Sequence, residues 1–122
     1  INNPVTASEM GRYFSFAQFK FEDEFHDFGI IIQGEKVSYT FKFKNIGKSD
    51  LILSSVHASC GCTVPKYDSK PIKPGEDGFI EVVFDSSGRS GMQQKTVTVM
   101  ANTQPSVHEL KFVAEVVVPN NN

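Results

Sequence analysis

The sequence predicts an all-β fold, an immunoglobulin-like antiparallel β-sandwich of about seven strands. Three observations carry this. Apolar residues recur with a period of two, turn residues punctuate the chain roughly every 8 to 12 positions, and no stretch of a dozen residues shows the three-and-four spacing of an amphipathic helix. Eleven phenylalanines, no tryptophan and abundant valine and isoleucine add a bias towards strands.

The elements follow in order. From Tyr13 to Phe21 the alternation is loose, but Ala17, Phe19 and Phe21 share a parity and define a first strand. After the acidic Glu22-Asp23-Glu24 come Phe25, Phe28 and Ile30, and then the turn Gln33-Gly34-Glu35. Lys36 to Asn45 is the clearest strand: Val37, Tyr39, Phe41 and Phe43 alternate with Lys36, Ser38, Thr40, Lys42 and Lys44, which gives one dry and one wet face. Asn45 to Asp50 holds residues that tolerate tight reversals. Leu51 to Val56 is nearly continuously apolar and predicts a strand covered on both sides. Pro65, Pro71 and Pro74 remove backbone donors, so Val64 to Glu76 is expected to be the longest irregular segment. Pro74-Gly75-Glu76-Asp77-Gly78 is a turn, followed by Ile80, Val82 and Phe84 on one parity. Gly88-Arg89-Ser90-Gly91 reads as a hairpin turn, Lys95 to Met100 as a strand, Asn102 to Pro105 as another turn, and Glu109 to Val118 as the last strand.

Length and charge narrow the function classes. A chain of 122 residues supports one domain with one core. Its net charge of −2 provides no basic field for a nucleic acid. No apolar run approaches the roughly 20 residues of a membrane-spanning helix. The chain starts on a polar segment without a basic and apolar leader, so the compartment is not read from it, and a lipid anchor further upstream is compatible with it.

The most specific stretch is Ser59-Cys60-Gly61-Cys62-Thr63, which holds both cysteines. The residues alone leave three readings open. A turn at Gly61 would let Cys60 and Cys62 form a disulfide across a very small ring, readily reduced and of little stabilising effect. The two thiolates with His57, three residues upstream of Cys60, would suit zinc or copper(I), although four protein ligands are the rule for structural zinc and no further pair is present. Alternatively, two small residues pack at a strand end and carry no chemistry. No resident cofactor is expected.

Other constellations are weaker. Glu22, Asp23, Glu24 and Asp27 lack the spacing of a calcium loop and read as a solvated turn. Gly88 to Gly91 lacks the lysine and following helix of a phosphate loop. Ser90 and His108 with an aspartate make only a nominal triad. Phe14, Phe16 and Phe25 stand outside the alternating pattern, and any of them exposed together would form a docking patch.

One further pattern spans most of the chain. Phe28-Gly29, Gly34-Glu35, Phe41, Phe43, Asn45, Gly47, Leu51-Ile52, Cys60-Gly61-Cys62-Thr63, Pro65, Ile72, Pro74-Gly75-Glu76, Val82, Phe84-Asp85, Gly91, Val97, Val99 and Asn102 follow one another as in the bacterial family called domain of unknown function 1573. The resemblance runs from Ala17 to Val118, leaving residues 1–16 as an N-terminal extension and 119–122 as a C-terminal tail. It implies a single immunoglobulin-like sandwich related to Hydin-type and PapD-type domains. It also implies export, as secreted proteins or lipoproteins of Bacteroides-like bacteria, standing alone or in tandem. No enzymatic activity is established for that family, so the resemblance transfers no catalytic residue.

Two function classes follow. The first is a noncatalytic, extracytoplasmic structural or interaction module that binds a protein partner through sandwich edges and loops, including by strand addition. The second is a thiol redox or soft-metal site at Cys60, Gly61 and Cys62, with His57 as base or ligand.

Overall fold

In the computed structural model, residues 16–119 are described. They form eight strands: β1 Phe19–Phe21, β2 Phe25–Ile32, β3 Lys36–Asn45, β4 Leu53–Ala58, β5 Thr63–Tyr67, β6 Asp77–Asp85, β7 Gly91–Ala101 and β8 Val107–Val117. Two four-stranded sheets face each other, one in the order β1-β3-β6-β5 and the other β2-β8-β7-β4. This is the predicted all-β sandwich, with a finer strand count and one parallel pair, β2 with β8, among otherwise antiparallel neighbours.

The alternation of β3 determines which side faces inward. Phe41 and Phe43 are buried while Lys42 and Lys44 stay in water. On its neighbour β6, Ile80, Val82 and Phe84 point to the same interior. Val97 and Val99 of β7 and Leu110, Phe112, Ala114 and Val116 of β8 meet them from the opposite sheet, with the Phe84 and Phe112 rings 5.4 Å apart between centroids. Each fully buried phenylalanine contributes about 2 to 3 kcal/mol of transfer free energy, so the interlocking rings dominate the core.

Four expectations are corrected. The segment after Val64 is not irregular throughout, because Thr63–Tyr67 pairs with β6 as β5. Pro65 is tolerated there because β5 lies at a sheet edge, where a missing N–H faces outward. The strand expected at Leu51 to Val56 starts two residues later, Leu51 forming an isolated bridge with Ile72, and β4 is an edge strand rather than one covered on both sides. Gly88 to Gly91 is not a hairpin turn, since β6 and β7 belong to different sheets and the loop carries the chain between them. Val118, expected as the last residue of the final strand, lies beyond β8 and is exposed. The first strand is short, and the part of it expected at Tyr13 to Ser15 lies outside the described residues.

Candidate functional site

The cysteine stretch connects β4 to β5, the edge strands of the two sheets, and so crosses one open side of the sandwich. Cys60 and Cys62 are joined by a disulfide with their Cα atoms 5.3 Å apart, inside the ordinary range. Of the three readings open at the sequence level, the bonded pair is therefore the one observed, and both sulfurs are committed to each other rather than offered as thiolate ligands. The backbone around the bond is held independently of it. Ser59 N–H donates to the Thr96 carbonyl at 2.8 Å and Thr96 N–H donates to Ser59 Oγ at 3.1 Å. On the other side Asp85 N–H donates to the Cys62 carbonyl at 2.8 Å.

Thr63, buried at the start of β5, places its Oγ1 3.7 Å from Cys60 Sγ and 3.8 Å from Cys62 Sγ. A disulfide sulfur has no proton, so the threonine hydroxyl is the donor in both contacts. Gly61 is exposed, lacks a positive φ, and a Cβ there would meet nothing within 4 Å. The turn therefore does not depend on glycine's backbone freedom, contrary to expectation. His57 is exposed and its Nδ1 lies 3.2 Å from Ser55 Oγ, which is the partner the structure gives it in place of a cysteine sulfur. Among the described residues no group of three or more His, Cys, Asp and Glu side chains is gathered to hold a metal ion.

A second feature escaped sequence reading. Ile30, Ile31 and Ile32 are consecutive on β2, and only Ile31 faces the core, at 5% exposure. Ile30 is 70% and Ile32 52% exposed on the outer face of the β2-β8-β7-β4 sheet. Ile30 is in register with Glu115 and Ile32 with Val117 on β8, while Met92 of β7, 69% exposed, pairs with Glu115 from the other side. Ile30, Ile32, Val117 and Met92 thus form an apolar field across three strands, with Glu115 in its middle. The signal was available: three successive isoleucines in a strand cannot all reach one core.

The sheet edges are interrupted. β1 has three residues, β2 carries a bulge between Asp27 and Ile30 with Gly29 at φ 73°, β4 has a register shift between Leu53 and Ser55, and β5 contains Pro65. Each of these blunts pairing with another chain.

The remaining candidates are dispersed. Asp23 accepts a short hydrogen bond from the Tyr39 hydroxyl, and Asp27 Oδ1 accepts from Gly29 N–H at 2.8 Å, so these two carboxylates of the acidic cluster make local bonds. His108 Nε2 lies 2.9 Å from Thr103 Oγ1, whose proton goes to the Pro105 carbonyl, so the histidine is the donor. Phe16 and Phe25 are both exposed, and Phe14 lies outside the described residues. A groove of about 420 Å³ between β1, β3 and β6 is lined by Lys20, Glu22, Lys42, Lys44 and Asp77 with Phe21, Phe43 and Gly78, and no serine, cysteine or histidine lines it.

Strand order, core and disulfide define an immunoglobulin-like, PapD-like sandwich with a bonded cysteine pair at one edge. The chain belongs to the family described as protein of unknown function (DUF1573), which matches residues 19–116. Among solved structures it is similar to a protein of unknown function from Porphyromonas gingivalis W83, at 20% identity and a TM-score of 0.73, over 84% of this chain and 48% of that one. The chain thus spans about half the length of that protein. It is also similar to the ASH / PapD-like domain 7 of human CEP192, at 11% identity and a TM-score of 0.68, over 87% of this chain and 89% of that one. The secreted serine protease VesC from Vibrio cholerae matches at 9% identity and a TM-score of 0.59, over 84% of this chain but 23% of its own. Likenesses this distant concern the fold alone. No curated protein matches the chain.

Proposed function

We propose that the chain is a noncatalytic, extracytoplasmic module that docks onto a protein partner through the outer face of the β2-β8-β7-β4 sheet. The observation that carries this reading is the field formed by Ile30, Ile32, Val117 and Met92. Exposed apolar side chains spread over three strands lose favourable burial as long as they face water, and covering them returns about 25 cal/mol per Å². Strand addition at an edge fits less well, because the bulge in β2, the shift in β4 and Pro65 in β5 all interrupt the required ladder. Placement outside the cytoplasm rests on the resemblance to this family, which implies export. The double variant Ile30→Asp/Ile32→Asp tests the reading. It is expected to keep the melting temperature of the parent and to abolish co-purification with the partner; unchanged co-purification overturns it.

A further inference from the structure

The cysteine loop leaves β4, which is the edge of its sheet opposite to β2, the strand that carries Ile30 and Ile32. We propose that Cys60–Cys62 is a reversible thiol-exchange site that accepts electrons from a dithiol protein, with Thr63 holding the sulfur that leaves. The juxtaposition that carries this is one buried hydroxyl donor within 3.8 Å of both sulfurs of a two-residue-separated disulfide.

Three physical features combine here. First, a ring that encloses one intervening residue constrains the unfolded chain very little, so the bond does not act as a staple for the fold. Second, the backbone on both sides is tied to other strands by Ser59 with Thr96 and by Cys62 with Asp85, so the two sulfurs stay neighbours when the bond opens and can close again. Third, among the described residues the contacts given to the Thr63 hydroxyl are the two sulfurs, and a thiolate is a far stronger acceptor than a disulfide sulfur. The hydroxyl therefore favours the broken state of the bond at the moment charge appears.

The direction of attack follows from packing. Both cysteines are half-buried, but Cys62 is the one packed against the hydrophobic core, so Cys60 is assigned as the sulfur attacked. A thiolate of the dithiol protein attacks Cys60 Sγ. A new S–S bond forms between them, the Cys60–Cys62 bond breaks, and its electron pair leaves on Cys62 Sγ as a thiolate, held by Thr63 Oγ1–H. The second thiol of the donor, as thiolate, then attacks its own partner sulfur and releases Cys60. Two electrons have passed to the cysteine pair, the two protons lost by the donor thiols end on Cys60 and Cys62, and the donor departs as a disulfide.

A thioredoxin-type protein stripped of its second cysteine tests the step on the folded protein, because it stalls at the mixed disulfide. Peptide mass mapping is expected to find it on Cys60; trapping on Cys62, or on neither, overturns the assignment. Thr63→Val is expected to slow reduction by dithiothreitol about tenfold while near-UV circular dichroism stays that of the parent, and Thr63→Ser to restore the rate. Should Thr63→Val disturb the fold, Thr63→Ala, which also removes the hydroxyl, takes its place, and a parental reduction rate in the folded variant overturns the role of Thr63. Alkylation of Cys60 and Cys62 in the reduced protein by iodoacetamide only in denaturant contradicts reversible exchange in the folded state.

Discussion

Asn45 Nδ2 donates to the Ile72 carbonyl at 2.8 Å inside the sandwich, at a residue with no exposed surface. The same amide nitrogen donates to the Ser49 carbonyl at 2.8 Å, and Asn45 Oδ1 accepts from Gly47 N–H at 3.0 Å and Gln18 N–H at 3.3 Å. One side chain thus satisfies four backbone groups from the entry to β1, the loop after β3 and the approach to β6.

Removing it takes one partner from each, although the Ile72 carbonyl keeps the Leu51 N–H and the other three groups lie at half-buried or exposed positions. Asn45→Ala is expected to cost about 1 to 3 kcal/mol in denaturant melts, the range for losing hydrogen bonds made by one fully buried amide. A cost below 1 kcal/mol would mean that water replaces the amide.

The core assignment predicts a larger effect for a different reason. Phe41 is fully buried on β3, and Phe41→Ala is expected to cost about 3 to 5 kcal/mol from lost transfer and cavity formation. Gly78→Ala provides a check on β6. A Cβ there would run into the Phe43 ring and come within 2.7 Å of Ile72 Cδ1, so the variant is expected to be destabilised although glycine here needs no unusual φ.

The cysteine pair behaves in the opposite way. The double variant Cys60→Ser/Cys62→Ser is expected to lose no more than about 1.5 kcal/mol, because the ring it opens is so small. A loss of 4 kcal/mol in equilibrium unfolding would make the bond a structural staple and remove the basis for exchange.

Tyr39 supplies a pH signature. Its hydrogen bond to Asp23, followed by burial and the negative charges of Asp23 and Glu22, raises its phenol above the usual 10.0. A raised folded-state value means that the contribution to stability is fully present below the unfolded value and is lost as pH rises through the folded one. Ultraviolet titration is expected to show one tyrosine ionising late, and Asp23→Asn to bring it back towards the ordinary range. The ring also stacks on His26 at 3.6 Å between centroids, joining the two sheets at their margin.

How much of this was legible depended on which physical signal each residue carries. The strict alternation of Lys36 to Asn45 specified β3 to the residue, because one face is wet and the other dry. The prolines hid β5, since an edge strand tolerates what a central strand excludes and sequence alone does not say which strand is at an edge. Asn45 read as a turn residue, and its role as a buried hub depends on carbonyls from distant positions, 49 and 72, that only the fold assembles. The bond between Cys60 and Cys62 remained one of three readings, and the Thr63 hydroxyl beside it was not singled out because its importance lies in burial and orientation. Ile30 and Ile32 were passed over as apolar strand residues, and the bulge between Asp27 and Ile30 is what turns them outward.

The docking face is tested most directly by a photo-crosslinking residue at Ile30 in the protein expressed in its native cell, compared with the same residue at Lys66 on β5 of the other sheet. The account predicts one discrete protein adduct from position 30 and none of that mass from position 66. The same adduct from both positions, or none from position 30, would contradict it.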